Sequence, residues 1–170
     1  MEIGVIADTH DNVTAVEQAV SSFESRGVEV VLHCGDVIAP PVVPFFEGFE
    51  VHAVLGNNDG EQAGLADALS DLGTGSELLG HFGELRIDGR EIALLHGEDL
   101  ETVHSYASSG EYDVVCYGHH HERTKERVGE TLVLNPGAHF PTVPGEHRTV
   151  AFLDLNDLSV TFEPVGDVEE

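Results

Sequence analysis

Residues 1–36 read MEIGVIADTHDNVTAVEQAVSSFESRGVEVVLHCGD, in which an apolar run, a helical pattern and a second apolar run follow one another. The first run, residues 1–7, suits a buried strand. The next segment ends at Gly27 and repeats apolar side chains at helical spacing, at Val13, Val16, Val20 and Phe23. Residues 28–34 are the second run, so this region predicts a strand–helix–strand unit.

The rest of the chain continues this order and then changes character. A third strand is predicted over residues 50–55, and a second helix is marked by Leu65, Leu69 and Leu72. Asp88-Gly89 lies between apolar segments at 84–87 and 91–95, which is a strong hairpin signal. A helix is predicted over 99–109, and strands over 113–117, 122–128, 131–134, 148–155 and 160–163. The pattern predicts an α/β fold of βαβ units followed by mostly antiparallel sheet, with two packed sheets and helices outside.

The length and composition of the chain are those of a small globular protein. With 170 residues and 41% hydrophobic residues, the chain can bury a core without disulfides. We expect residues 1–166 to form a single domain and residues 167–170 to form a frayed acidic tail. Cys34 and Cys116 follow apolar runs and are expected to be buried free thiols. Without a signal peptide or a membrane-length apolar run, the expected location is cytoplasmic.

The charge of the chain is strongly negative. Asp and Glu number 32 against 7 Lys and Arg, and the formal net charge is −25. Such a surface repels long nucleic acids and anionic membranes. We interpret the acidic excess as halophilic adaptation to a salt-rich cytoplasm. The alternative is an acidic enzyme from a mesophile, without adaptation to salt.

Polar side chains with metal-binding chemistry follow one predicted strand after another. They are Asp8, His10, Asp36, Asn57, Asp59, His96, His119, His120 and His121. Because strand carboxyl ends gather at one edge of an α/β sheet, these side chains are expected to converge. Mixed oxygen and nitrogen donors suit Mn²⁺, Fe²⁺, Zn²⁺, Ni²⁺ or Co²⁺, and a shared carboxylate can hold two ions.

Five motifs carry a family resemblance: Asp8-x-His10, Gly35-Asp36, Gly56-Asn57-x-Asp59, His96-Gly97 and Gly118-His119-x-His121. In this order they resemble the motifs of the calcineurin-like metallophosphoesterase superfamily. The short chain and Asn135-Pro136-Gly137 are similar to its YfcE-like phosphodiesterases. The resemblance implies a four-layer α/β/β/α sandwich of two mixed sheets flanked by helices.

The same resemblance implies a metal-dependent phosphoesterase. It assigns one ion to Asp8, His10 and His121, a second ion to Asn57, His96 and His119, and both ions to Asp36. A hydroxide shared by the ions would attack phosphorus in line, which makes four residues catalytic: Asp8, Asp36, Asn57 and His96. Mn²⁺ is the expected ion, with Ni²⁺, Fe²⁺, Co²⁺ and Zn²⁺ as alternatives.

Asn58 departs from the pattern of much of the superfamily, in which His follows the ligand Asn and protonates the leaving group. An amide does not donate a proton in this way, so no residue is assigned as the general acid. The expected substrates are small phosphodiesters whose leaving groups need little protonation.

A phosphomonoesterase and a non-catalytic interaction scaffold of the retromer-subunit type are alternatives to the phosphodiesterase. A homo-oligomer is expected only from the resemblance.

Several of these residues also have ordinary structural explanations. Asp36 alone could be a turn residue and His96 a core histidine, but five coincidences at strand ends are improbable. Asp59 is expected to orient a ligand or form a turn, and His33 to pack behind the site. If its segment is extended, His120 should point away from its neighbours.

We expect the stability of the protein to rise with salt concentration. Salt shortens the Debye length to about 3 Å at 1 M, which screens repulsion among the excess carboxylates. Thermal melting in dilute and in multimolar KCl measures the effect. A melting temperature that stays constant or falls would contradict the halophilic interpretation and leave the enzymatic one untouched.

Overall fold

The computed structural model of the protein describes residues 1–9, 13–37, 40–137 and 148–165. Its strands are β1 (Glu2–Ile6), β2 (Val30–His33), β3 (Glu50–Ala53), β4 (Glu77–Leu78), β5 (Phe82–Ile87), β6 (Arg90–Leu95), β7 (Val114–Cys116), β8 (Thr124–Val128), β9 (Thr131–Asn135), β10 (Thr149–Asp154) and β11 (Ser159–Pro164). Its helices are α1 (Val13–Ser25), α2 (Gln62–Asp71) and α3 (Leu100–Ser108), with a 3₁₀ helix over Pro40–Phe46. These elements form two mixed sheets with flanking helices, so the predicted fold class is confirmed.

The first sheet contains the predicted βαβ units. Its strand order is β11-β10-β1-β2-β3-β4, and the four strands from β1 to β4 are parallel. The crossovers that parallel neighbours require contain α1, the 3₁₀ helix and α2, in that order. The short strand β4 is absent from the sequence prediction, because two residues are too few to show a pattern.

The second sheet differs from the sequence prediction. Its order is β5-β6-β7-β9-β8, and the hairpins β5–β6 and β8–β9 are antiparallel as predicted. The central pairs β6–β7 and β7–β9 are parallel, which the sequence pattern did not predict, although most strand pairs of the back half are antiparallel as expected. The reason is α3, which carries the chain back over the sheet between β6 and β7 and makes these strands run in one direction.

Three apolar layers hold these elements together. The layer between the sheets includes Ile3, Leu32, Ile92 and both cysteines. One outer layer packs α1, α2 and the 3₁₀ helix on the first sheet, and the other packs α3 on the second. Cys34 and Cys116 are free and buried as expected, and burial raises the pKa of the Cys116 thiol to about 12.

Two further sequence predictions concern the acidic tail and membrane-spanning segments. The proposed acidic tail, residues 167–170, lies beyond the described residues. Within the described ranges, none of the helices combines the length and apolar character that crossing a membrane requires.

Candidate metal centre

The candidate residues follow parallel strands whose carboxyl ends meet at one edge. Asp8, Asp36 and Asn57 come after β1, β2 and β3 of the first sheet, and His96 comes directly after β6 of the second. His119 follows β7, the parallel neighbour of β6. The two sheets therefore face each other with their candidate side chains at the same end of the sandwich.

Unusual backbone conformations concentrate at this edge. Among the described residues, six other than glycine have a positive φ, and four of these are Asp8, Asp36, His119 and His121. Such conformations cost about 1–3 kcal/mol each and persist where the surroundings enforce them. Here the left-handed turns bring side chains from separate loops towards one point.

Two carboxylates and an imidazole form the buried part of the centre. Asp8, Asp36 and His96 are at most 2% exposed, and one donor atom from each lies within 4.8 Å of the others. Two carboxylates buried this close repel each other unless positive charge lies beside them. The set therefore fits a divalent cation by its charge as well as by its donor atoms.

The tautomer of His96 adds to this fit. Its Nδ1 donates to the Cys34 carbonyl oxygen at 2.7 Å, so its Nε2 presents a lone pair in the neutral ring. Burial opposes protonation of His96, but hydrogen bonds to Asp36 and Cys34 and the charges of Asp36 and Asp8 outweigh burial and raise its pKa. In His119, burial and the neighbouring His96 and His120 lower the pKa.

Three donor atoms, one of them Nε2 of His96, form a nearly equilateral triangle. Asn57 Oδ1 lies 2.9 Å from His96 Nε2 and 3.2 Å from His119 Nδ1, and the two nitrogens are 3.2 Å apart. Donors bonded to one ion at about 2.1 Å and at right angles lie about 3.0 Å apart. The triangle therefore has the dimensions of one face of a metal coordination shell.

A second group of donors lies on the Asp8 side. His121 Nε2 is 3.6 Å from Asp8 Oδ1, and the His119 amide donates to Asp8 Oδ2 at 3.0 Å. Asp36 lies near both groups, since its Oδ2 is 3.4 Å from His96 Nε2 and one of its oxygens lies within 4.8 Å of an oxygen of Asp8. His10, the remaining candidate ligand, lies outside the described residues. The structure thus brings six of the seven predicted ligands together, and metal binding by them stays a prediction.

Two neighbours hold the Asp36 side chain and backbone in place. Asp59 Oδ2 accepts hydrogen bonds from the Asp36 and Gly56 amides at 2.9 and 2.8 Å, which agrees with its expected orienting role. Asn58 donates its amide N–H to Asp36 Oδ1 and its Nδ2 to Asp36 Oδ2, both at 2.9 Å. The interpretation of Asn58 as a missing proton donor did not include this contact, for which its place one residue after Asn57 is the signal in the sequence.

Glycines allow the loops to approach this closely. A Cβ on Gly35 would lie 2.7 Å from His96 Nδ1, and a Cβ on Gly56 would overlap the Asp36 carboxylate. Gly35 also has a φ of +97°, which side chains disfavour. The glycines of the Gly35-Asp36 and Gly56-Asn57 motifs are therefore required by packing at the centre.

Two further histidines have defined contacts. The Gly35 amide donates to His33 Nδ1 at 3.1 Å, so the neutral ring carries its proton on Nε2 and donates to Thr9 Oγ1 at 3.1 Å. His33 therefore lies behind the centre, as expected. The extended conformation considered for His120 is wrong, because His119 and His121 on either side are left-handed. His120 Nε2 donates to the Gly97 carbonyl oxygen at 2.8 Å.

The chain is similar to known proteins over most of its length. Residues 1–158 match the family described as the calcineurin-like phosphoesterase superfamily domain. Phosphodiesterase MJ0936 of Methanocaldococcus jannaschii is 38% identical over 139 residues, which are 81% of this chain and 83% of the relative.

Solved structures give the same result. The structure of an archaeal phosphodiesterase superposes with a TM-score of 0.90 at 34% identity, covering 96% of this chain and 99% of the other. The Escherichia coli phosphoesterase YfcE superposes with a TM-score of 0.71 at 22% identity, covering 98% and 100% of the two chains. At that identity the second comparison shows the shared fold alone.

We expect Asp59→Asn to weaken metal binding about 10–100-fold, the usual effect of losing a contact that orients a ligand. The reason is that the neutral amide oxygen of Asn accepts the hydrogen bonds of the Asp36 and Gly56 amides more weakly than the charged carboxylate oxygen does. Calorimetric titration of the metal-free protein with Mn²⁺ measures the affinity. Asp67→Asn, an exposed change of the same kind on α2, is the control. Equal affinities in the two variants would show that Asp59 does not position Asp36.

Proposed function

The chain belongs to the calcineurin-like phosphoesterase superfamily, as its motifs predict, and we propose from this that it is a metal-dependent phosphodiesterase acting on small phosphate esters. One observation supports the proposal above the others. Donors from both sheets converge at buried Asp8, Asp36 and His96, where a divalent cation would balance the charge of the two carboxylates. The match to the M. jannaschii phosphodiesterase favours diesters over monoesters.

We propose that two divalent ions bind at this centre. Asp8 and His121, with His10, would hold one ion, the Asn57–His96–His119 triangle would hold the other, and Asp36 would serve both. Mn²⁺ is the first choice, since the donors are oxygen and nitrogen without thiolate, and Ni²⁺, Fe²⁺, Co²⁺ and Zn²⁺ are alternatives. Such ions supply a nucleophile derived from water at neutral pH and neutralise charge on the phosphoryl group.

The residues around the ions have separate tasks. His96 is fixed in one tautomer by the Cys34 carbonyl, which aims its Nε2 at the site. Asn58 and Asp59 hold the carboxylate and the backbone of Asp36, respectively, so that its two oxygens keep their directions. Because the Asn58 amide is engaged with Asp36 and carries no acidic proton, it cannot assist the leaving group.

The charge of the protein bears on its substrate and surroundings. A formal net charge of −25 opposes binding of long nucleic acids and of anionic membranes, so a small ester is the proposed substrate. A cytoplasmic, salt-rich location accords with the composition. Assembly into a homo-oligomer is part of the proposal only through the family resemblance.

The converging metal donors argue against the alternative of a non-catalytic interaction scaffold. A protein that serves only in assembly has no need of converging donors with an orienting Asp59, so we favour the enzyme. Release of nitrophenol from bis(4-nitrophenyl) phosphate with added Mn²⁺ distinguishes an enzyme from a non-catalytic scaffold. Hydrolysis of 4-nitrophenyl phosphate, the corresponding monoester, tests the monoesterase alternative.

Asp36 is expected to be the most sensitive ligand. Asp36→Asn removes the charge that both ions would share, so hydrolysis should fall to the level of the assay blank and the bound metal below two ions per chain. Elemental analysis after metal loading measures the stoichiometry. A wild-type value of one ion or fewer would contradict the binuclear proposal, and near-normal turnover of Asp36→Asn would contradict the bridging role.

The reaction is expected to depend steeply on the pKa of the leaving group. General-acid assistance contributes about 10²–10⁴-fold and matters most for poor leaving groups. Asn58→His adds a proton donor, so it should flatten the dependence, with most gain on alkyl esters and little on nitrophenyl esters. A series of diesters with graded leaving groups, assayed at fixed metal concentration, measures the slope.

Asn58→Ala is the matched control for this series, because it also removes the hydrogen bond to Asp36 but adds no proton donor. It should lower all rates by a similar factor and keep the wild-type slope. A shallow wild-type slope would mean that another residue acts as the acid, and His120, beside His119, would be examined next.

A further inference from the structure

A cleft adjoins the candidate metal centre on the side of α3. Its volume is about 170 Å³, and its lining includes His96 and Gly97, so it begins at a proposed metal ligand. A cavity of about 150 Å³ is enough to hold a benzene ring. The cleft therefore has room for one ring of a molecule whose phosphate lies at the centre.

Aromatic side chains form one wall of this cleft. The rings of Phe82 and Tyr106 stack with centroids 4.5 Å apart and an angle of 16° between their planes. Tyr112 packs edge-on against both rings and donates its hydroxyl proton to Glu84, which fixes the group. Leu55 and Leu95 complete the apolar lining. A rigid aromatic and aliphatic wall favours a flat, weakly hydrated ligand group.

The polar side of the cleft is acidic. Glu98 and Asp99 line it together with Thr102 and His81, and among the residues that the structure describes its lining contains neither Lys nor Arg. Asp99 caps α3 by accepting from the Glu101 amide at 3.0 Å and from the Thr102 hydroxyl at 2.9 Å, so its position is fixed. A carboxylate or second phosphate placed here would meet like charge, whereas an uncharged or cationic group would not.

We propose that this cleft binds one ester group of the substrate, and that this group is a flat ring that is uncharged or cationic. The inference rests on the proposed phosphodiesterase function and narrows its substrate class. The ring would contact Tyr106 and Phe82, with Glu98 and Thr102 available as hydrogen-bond acceptors.

Two diesters with the same leaving group test the subsite. Phenyl 4-nitrophenyl phosphate and methyl 4-nitrophenyl phosphate both release nitrophenolate, so they differ mainly in the group offered to the cleft. We expect kcat/KM of the phenyl ester to be higher by about 10-fold or more, which corresponds to about 1.4 kcal/mol. The 4-carboxyphenyl ester, which carries a negative charge, should lose this advantage.

Variants connect the preference to the cleft. Thr102→Trp fills the cleft and should lower the rate of the phenyl ester towards that of the methyl ester, so that the preference for the phenyl ester is lost. Thr161→Trp, the same substitution at an exposed position of β11, is the control and should keep the preference. Glu98→Gln should improve hydrolysis of the carboxyphenyl ester, whereas Glu101→Gln, a neighbouring exposed change outside the lining, should not.

The outcomes separate the inference from the function on which it rests. Equal rates for the phenyl and methyl esters in the wild type, or equal losses on both esters in Thr102→Trp, would overturn the subsite while leaving the phosphodiesterase proposal standing. If Thr102→Trp does not fold, an unchanged preference against the carboxyphenyl ester in Glu98→Gln overturns it instead. Failure of the metal-loaded wild type to hydrolyse any of the three esters would remove both proposals.

Discussion

The repulsion between two buried carboxylates is the constraint around which the candidate centre is built. Asp8 and Asp36 sit at the ends of adjacent parallel strands and are almost fully excluded from water. Burial of like charges is unfavourable unless hydrogen bonds and a counter-charge compensate. The surrounding loops supply hydrogen bonds to the two carboxylates from Asn58 and the His119 amide, and Asp59 holds the backbone amide of Asp36. The glycines and left-handed turns follow from the need to bring these loops within contact distance.

Much of this arrangement could be predicted from the sequence because strand ends carry a clear signal. Apolar runs that stop at Asp8, Asp36 or His96 indicate both the strand and the polar edge. The parallel centre of the second sheet could not be predicted in the same way, because strand direction depends on the path of α3 over the sheet rather than on any local pattern. The two-residue strand β4 is formed by pairing with β3 and carries no periodicity of its own.

The contacts that hold the ligands were harder to predict than the ligands themselves. Asn58 donates to Asp36 across 22 positions of sequence, and no spacing rule connects a turn amide to a carboxylate in another loop. The direction of the His120 side chain was inferred for an extended backbone. The residues on either side of it, His119 and His121, have left-handed backbone conformations instead. Side-chain direction beside a metal site depends on φ and ψ values that tertiary contacts enforce, so residue type alone does not determine it.

The division of the donors between the two sheets has a consequence for how the molecule comes apart. Asp8, Asp36 and Asn57 belong to loops of the first sheet, and His96, His119 and His121 belong to loops of the second. An ion held by Asp8 and His121 would join chain positions more than one hundred residues apart, much as a disulfide does. In the chain-entropy model a cross-link over about 100 residues removes about 4.7 kcal/mol of freedom from the unfolded chain. Such ions would therefore stabilise the packing of the two sheets in addition to taking part in catalysis. Separation of the sheets would require their release.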